Sequence, residues 1–270
     1  MENEELNIIQ AQLKFNNKLI ILLSGLSGTF KNKIAKDLAK HFNINVISLR
    51  FFIKNDYDKE QILTNGDKFI DCDNIEAYDW KKFNSYIEEK SKTGIIVYGF
   101  SFPKDLISFQ PNFHFNIKIT KQKYIEERHK FLKQNPKSNK KLLDLIESKT
   151  ENLMINDYIY PNYLDYIKRS DINRFFNANE KSIEIIFDEM FDHIINQIEK
   201  IIYNTKDTKN IKDTNDIKNN YLEDDSSSSS YNPIVSFEDT YQPESNDSTF
   251  ITTLPNYIEK LDPFLHIKKN

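Results

Sequence analysis

A glycine-rich turn ending in a lysine carries the strongest chemical signal in the 270 residues. Gly25-Leu26-Ser27-Gly28-Thr29-Phe30-Lys31-Asn32 follows the apolar run Leu19-Ile20-Ile21-Leu22-Leu23-Ser24. It opens into Lys33-Ile34-Ala35-Lys36-Asp37-Leu38-Ala39-Lys40-His41-Phe42, whose apolar residues recur at helical spacing. A buried strand, a tight loop and a helix N-terminus in that order aim several backbone N–H groups at one point, where polyphosphate binds. A lysine there adds a point charge for the β and γ phosphates. Gly25, Ser27, Gly28, Thr29, Lys31 and Asn32 are therefore the candidate nucleotide-binding residues. The full pattern, G-x-x-x-x-G-K-S/T, is broken twice: Phe30 stands where the second glycine belongs, and Asn32 where a Mg²⁺-binding hydroxyl belongs. The bland alternatives are a solvent-facing Lys31 and two glycines that a tight turn needs with or without a ligand.

The elements that must position this loop alternate between strand and helix. Residues 46–49, 94–99 and 113–119 read as strands, the last alternating in polarity and so nearer an edge; a short strand lies near 174–176. Trp80, Phe83 and Ile87 share one helix face, and further helical patterns cover 124–134, 142–146, 163–167 and 183–202. Strands separated by single helices imply crossovers and a mostly parallel sheet flanked by helices, an α/β fold with its ligand site at the carboxyl ends of the strands. The organisation expected is a polar arm over 1–17 (a short helix or a loose segment), a folded domain over 18–203, and a largely disordered tail over 204–270. Lys, Asp, Asn, Thr and Ser dominate that tail, including the run Ser226-Ser227-Ser228-Ser229-Ser230 after Glu223-Asp224-Asp225, and such a composition cannot bury enough apolar surface to offset ordering. A docking segment for the domain or for a protein partner is expected near 255–265.

Composition narrows the partners. The net charge of -4 gives no reason to expect nucleic acid or an anionic membrane. Cys72 is the single cysteine, so no intrachain disulfide forms, which suits a reducing cytoplasmic compartment. The longest apolar run is far too short to span a bilayer.

Taken together, residues 18–200 resemble the uridine kinase and nicotinamide riboside kinase group of phosphate-loop kinases. The likeness rests on the loop and helix above and on Val46-Ile47-Ser48-Leu49-Arg50-Phe51-Phe52-Ile53-Lys54. It rests also on Asp71-Cys72-Asp73-Asn74-Ile75-Glu76-Ala77-Tyr78-Asp79-Trp80, on Ile95-Ile96-Val97-Tyr98-Gly99-Phe100, on Ile119-Thr120 into Arg128, and on Ile159-Tyr160-Pro161-Asn162-Tyr163-Leu164. The resemblance implies a P-loop kinase-type fold, ATP as cofactor, a nucleoside or nicotinamide riboside as small-molecule partner, Asp73 on the ribose hydroxyls and Arg128 on the closing lid.

The departures concern catalysis. Arg50 and Phe51 occupy the places of the family's acid pair, and Tyr98 replaces a Glu at the strand end. The usual Mg²⁺ ligands and general base are thus replaced, which leaves metal use open and predicts impaired transfer. Carboxylates from elsewhere, Asp56, Asp58, Asp71 or Asp73, would have to serve. Arg50 is a candidate for neutralising a phosphate where the usual metal is gone. Each residue has a structural alternative: Arg50 pairing with a local acid such as Asp56, Asp73 capping a helix, Arg128 solvated among Glu126, Glu127 and Lys130, Tyr98 packing. His41, His114 and His129 have no metal-ligand spacing with Cys72.

Overall fold

A computed structural model describes residues 8–134 and 149–213. Among the described residues the strands are β1 Ile20–Gly25, β2 Asn45–Ser48, β3 Glu60–Ile62, β4 Lys68–Ile70, β5 Ile95–Gly99, β6 Phe113–Lys118 and β7 Arg174–Asn177. The helices are α1 Ile8–Asn16, α2 Lys31–Phe42, α3 Trp80–Lys90, α4 Lys121–Gln134, α5 Thr150–Met154, α6 Tyr160–Lys168 and α7 Ile183–Asp213. Five strands make one sheet in the order β2-β5-β1-β6-β7, and every pairing in it is parallel. The fold is α/β, a parallel sheet flanked by helices. β1 is central, and the chain leaves it first to one side and then to the other, so the carboxyl end of β1 lies at the switch in strand order, where such sheets bind ligands.

Alternate residues of β1 feed two cores. Leu19, Ile21 and Leu23 pack with Ile34, Leu38 and Phe42 of α2 and with Met190, Ile194 and Ile198 of α7. Ile20 and Leu22 pack with Phe83 and Ile87 of α3 and with Leu49 and Phe52. Of the residues before the domain, those described form the short helix α1, which buries Ile9 in the first core and Gln12 beside it. A third cluster sits over the carboxyl end of the sheet, where Leu26 and Phe100 meet Phe69, Ile119, Tyr124, Met154, Ile159 and Tyr163.

Three features differ from the sequence reading. First, β6 is an interior strand, paired with both β1 and β7, and its polar residues His114 and Asn116 are fully buried. They alternate with apolar residues because they are hydrogen-bonded inward, not because they meet water. Second, an antiparallel hairpin of β3 and β4 turns at Gly66, whose φ of 88° glycine tolerates; these short strands gave no period to read. Third, α7 runs on to Asp213, ten residues into the segment expected to be disordered, since nothing between Ile202 and Asp213 is Gly or Pro. The expected helix at 142–146, the serine run and the docking segment at 255–265 lie outside the described residues. Among the described residues no helix is long and apolar enough to cross a membrane.

α5 and α6 are joined by a π-helical turn, Ile155–Ile159, and Pro161 follows in the first turn of α6. A proline inside an α-helix loses a donor and clashes with the carbonyl four residues back; a locally widened turn relieves both. The turn is held in place by the Tyr158 hydroxyl, which donates to the Ile62 carbonyl at 2.6 Å, and by the Tyr158 ring against Phe69.

Candidate functional site: the loop after β1 and the acids facing it

The loop that follows β1 is built tightly at its root and open at its tip. A Cβ on Gly25 would lie 3.0 Å from the Ile117 carbonyl oxygen and 2.9 Å from Thr29 Oγ1, so no larger residue fits. At Gly28 (φ 89°) a Cβ would meet nothing within 4 Å, and the residue is exposed. Phe30, in the place of the second glycine, takes the left-handed conformation (φ 57°, ψ 14°) and is 39% exposed. The loop thus retains a glycine's backbone geometry without the glycine, at a cost of about 1 kcal/mol. No side chain caps the N-terminus of α2.

Lys31 folds back over this loop. Its Nζ donates to the Leu26 carbonyl at 2.9 Å, an oxygen that also accepts from Thr29 Oγ1 (2.8 Å) and from the Thr29 N–H (3.3 Å). Burial pulls the ammonium down to about 8, Asp73 opposing and the Arg50 charge adding to the fall. Those influences place the charges of Lys31, Arg50 and Asp73 near one another. Anion binding at this loop is accordingly expected to weaken as pH rises past about 8, where the free ammonium loses its proton, by up to tenfold per pH unit. Titration of ATP against the parent and Lys31→Met on both sides of that pH measures this. The variant should bind more weakly and lose the fall; an unchanged fall would assign it to another group.

Arg50 and Asp73 are brought together from separate elements. Arg50 lies in a 3₁₀ turn, Leu49–Phe52, at the end of β2, where Ser48 Oγ accepts from its N–H. Its Nη2 donates to Asp73 Oδ1 at 2.8 Å, with Asp73 almost wholly buried. The acid that meets Arg50 is therefore Asp73; Asp56 and Asp58 are exposed. Asp71 is buried beside this pair: its Oδ1 accepts from the Asp73 N–H (3.1 Å) and its Oδ2 from Asn162 Nδ2 (3.2 Å). Burial, and then the Asp73 charge, push the Asp71 carboxyl up to about 7 against those hydrogen bonds and Arg50. The hydroxyls of Tyr57 and Tyr78 are buried nearby with no hydrogen-bond partner among the described residues; Asp71 acts on both, and Asp73 on Tyr78.

Asn32 is exposed on the first turn of α2, Ser27 is half-buried and Thr29 is buried in the loop. Tyr98 meets Ser48, its hydroxyl pushed up by burial. Arg128, on α4, is buried, and its Nε donates to Glu151 of α5, which also meets His129 at 3.0 Å; it is not solvated among Glu126, Glu127 and Lys130. Among the described residues no group of three or more His, Cys, Asp or Glu is arranged to hold a metal. A guanidinium on Asp73 and a tyrosine in the place of the strand-end acid do not fit the Mg²⁺ that the resemblance implies.

Sequence reasoning missed a buried chain of polar groups under the loop. Ser24, the residue before Gly25, meets His114 Nε2 and accepts from Asn116 Nδ2, both at 3.0 Å; Tyr163 donates to Asn116 Oδ1 at 2.9 Å. The neighbouring Asn162 holds Asp71, so two consecutive residues of α6 brace both the loop and the acid facing it. The Ser24–His114 contact has no exposure to solvent and no room for a substrate, so it is structural.

No protein-family model and no curated protein sequence matches the chain. Among solved structures, a gluconokinase from Sinorhizobium meliloti is similar at 10% identity over 71% of this chain and 97% of its own, with a TM-score of 0.39. An uncharacterized protein from Eubacterium ventriosum is similar at 19% identity over 68% and 99%, with a TM-score of 0.36. Likenesses of that size decide nothing, and the fold class rests on the chain's own strand order.

Proposed function

We propose that this chain is a nucleotide-binding protein on a P-loop kinase-like domain of the uridine kinase and nicotinamide riboside kinase type, with phosphoryl transfer impaired. The observation that carries the reading is the 2.8 Å pair between Arg50 and Asp73. At the place where the resemblance puts a general base, a guanidinium sits, and it occupies the acid that would hold the ribose. Lys31 and Arg50 then face a polyphosphate as two fixed cations, one of them where a metal would otherwise neutralise charge.

Calorimetric titration of ATP with and without Mg²⁺, beside a coupled turnover assay on uridine, cytidine and nicotinamide riboside, tests this. Expected are affinities that Mg²⁺ changes little and turnover at background. Mg²⁺-dependent turnover would overturn the reading in favour of a second one, an active kinase with a relocated base. That second reading is favoured by Asp71, a buried acid pushed up to about 7 by burial and the Asp73 charge, beside two tyrosine hydroxyls that have no hydrogen-bond partner among the described residues and suit a hydroxylated ligand. Loss of such turnover in Asp71→Asn would then identify the base.

A further inference from the structure

Along the outer edge of the sheet, β7 and α7 enclose a groove of about 380 Å³ lined by Arg174, Glu189, Asp192, His193, Asn196, Gln197 and Lys200. It shares no residue with the loop after β1. Its charges are unequally compensated. Glu189 is taken by Lys181, whereas Arg174 and Lys200 make no ion pair among the described residues. Asp192 stands exposed on the rim. Arg174 lies over the Phe176 ring at 5.1 Å, which fixes its guanidinium at the groove.

His193 lies between these cations. Its ring rests edge-on against Phe113 and Phe115, and its Nδ1 is 3.0 Å from Arg174 Nη1. Arginine can only donate, so Nδ1 carries no proton, the ring is neutral, and the N–H is on Nε2. Burial, Arg174 and Lys200 all hold its pKa below the ordinary histidine value.

We propose that this groove is an oxyanion site, taking a small phosphate- or carboxylate-bearing ligand between Arg174 and Lys200, with His193 Nε2 and the Asn196 and Gln197 amides as further donors. The volume is at the small end of ligand pockets. A bound oxyanion neutralises the two cations that suppress His193 and draws the Arg174 guanidinium off Nδ1, so the ring takes up a proton at the freed Nδ1 on binding and affinity rises as pH falls. The charged groups facing the ring are Arg174 from β7 and Glu189, Asp192 and Lys200 from α7; β6 presents only the two phenylalanine rings.

The probe is inorganic phosphate added to the full chain, followed through the His193 ring resonances by NMR. A saturable shift and a raised His193 titration midpoint are expected. Arg174→Gln should weaken binding about tenfold and Lys200→Gln about fivefold, while Asp192→Asn tightens it. Lys31→Met, which disables the other anion site, should leave it unchanged. Lys200 and Asp192 are exposed, so their variants decide the matter even if Arg174→Gln does not fold. A His193 resonance that ignores phosphate, or that responds equally in every groove variant, overturns the assignment; loss of the response in Lys31→Met overturns it too.

Discussion

Replacing Asp71 by asparagine is expected to turn a nearly flat dependence of stability on pH into one that climbs by about 3 kcal/mol between about pH 4 and about pH 6.5. Two buried groups oppose each other in that window. Burial and the Asp73 charge push Asp71 up to about 7, while an unfolded aspartate ionises near 3.9. Folding therefore takes up a proton, and stability is lost as pH rises through the interval, by about 4 kcal/mol in total. His114 does the reverse. Burial pulls it down to about 4, against contacts with Asp171, while an unfolded histidine titrates near 6.5. Its contribution is complete above about pH 6.5 and is lost as pH falls, by about 3 kcal/mol. Each variant removes one slope and exposes the other. Asp71→Asn should gain stability with rising pH and exceed the parent above about pH 7; His114→Gln should lose stability over the same range. Urea midpoints across the interval measure both. Slopes of one sign in the two variants would show that one of these groups does not titrate with folding.

The same two residues explain what could and could not be read in advance. The strand, loop and helix around Gly25 to Phe42 were legible because apolar continuity, glycine spacing and helical periodicity are local signals, and the parallel sheet followed from the alternation of elements. His114 and Asn116 misled because their partners, Ser24, Tyr163 and Asp171, are 47 or more residues away in the chain. Polar residues in a strand look like a solvent face unless such partners are known. At the site, Lys31, Arg50 and Asp73 were each singled out from separate segments and lie together. That Arg50 binds Asp73 rather than Asp56 depends on where the connection after β2 brings the acid, which no local pattern encodes. Asn65-Gly66 was a turn signal for the unread hairpin, but three-residue strands on either side are too short to show a period.

Arg128 was read with a lid role and with a solvated alternative, and its actual partner yields the other large effect. Glu151 is almost fully buried and faces two groups from α4, the Arg128 guanidinium and His129 Nε2. Such an arrangement need not stabilise the fold relative to an apolar one, because desolvating both ions costs about what their attraction returns. Removing one partner is different, since a buried charge is then left without its counter-ion, and the loss is about 3 to 5 kcal/mol. Glu151→Gln should therefore destabilise the domain by about 3 kcal/mol, the lower end because an amide oxygen can still accept from Arg128. The double replacement Arg128→Met, Glu151→Leu should recover most of that. Neither change touches Lys31, Arg50 or Asp73, so ATP affinity in the folded protein should be the same in parent and double variant. Urea unfolding beside calorimetry separates the two effects. If the double variant is as stable as the parent yet binds ATP much more weakly, Arg128 acts at the phosphates after all, as the resemblance implies, and its pairing with Glu151 is one of two positions that the side chain takes.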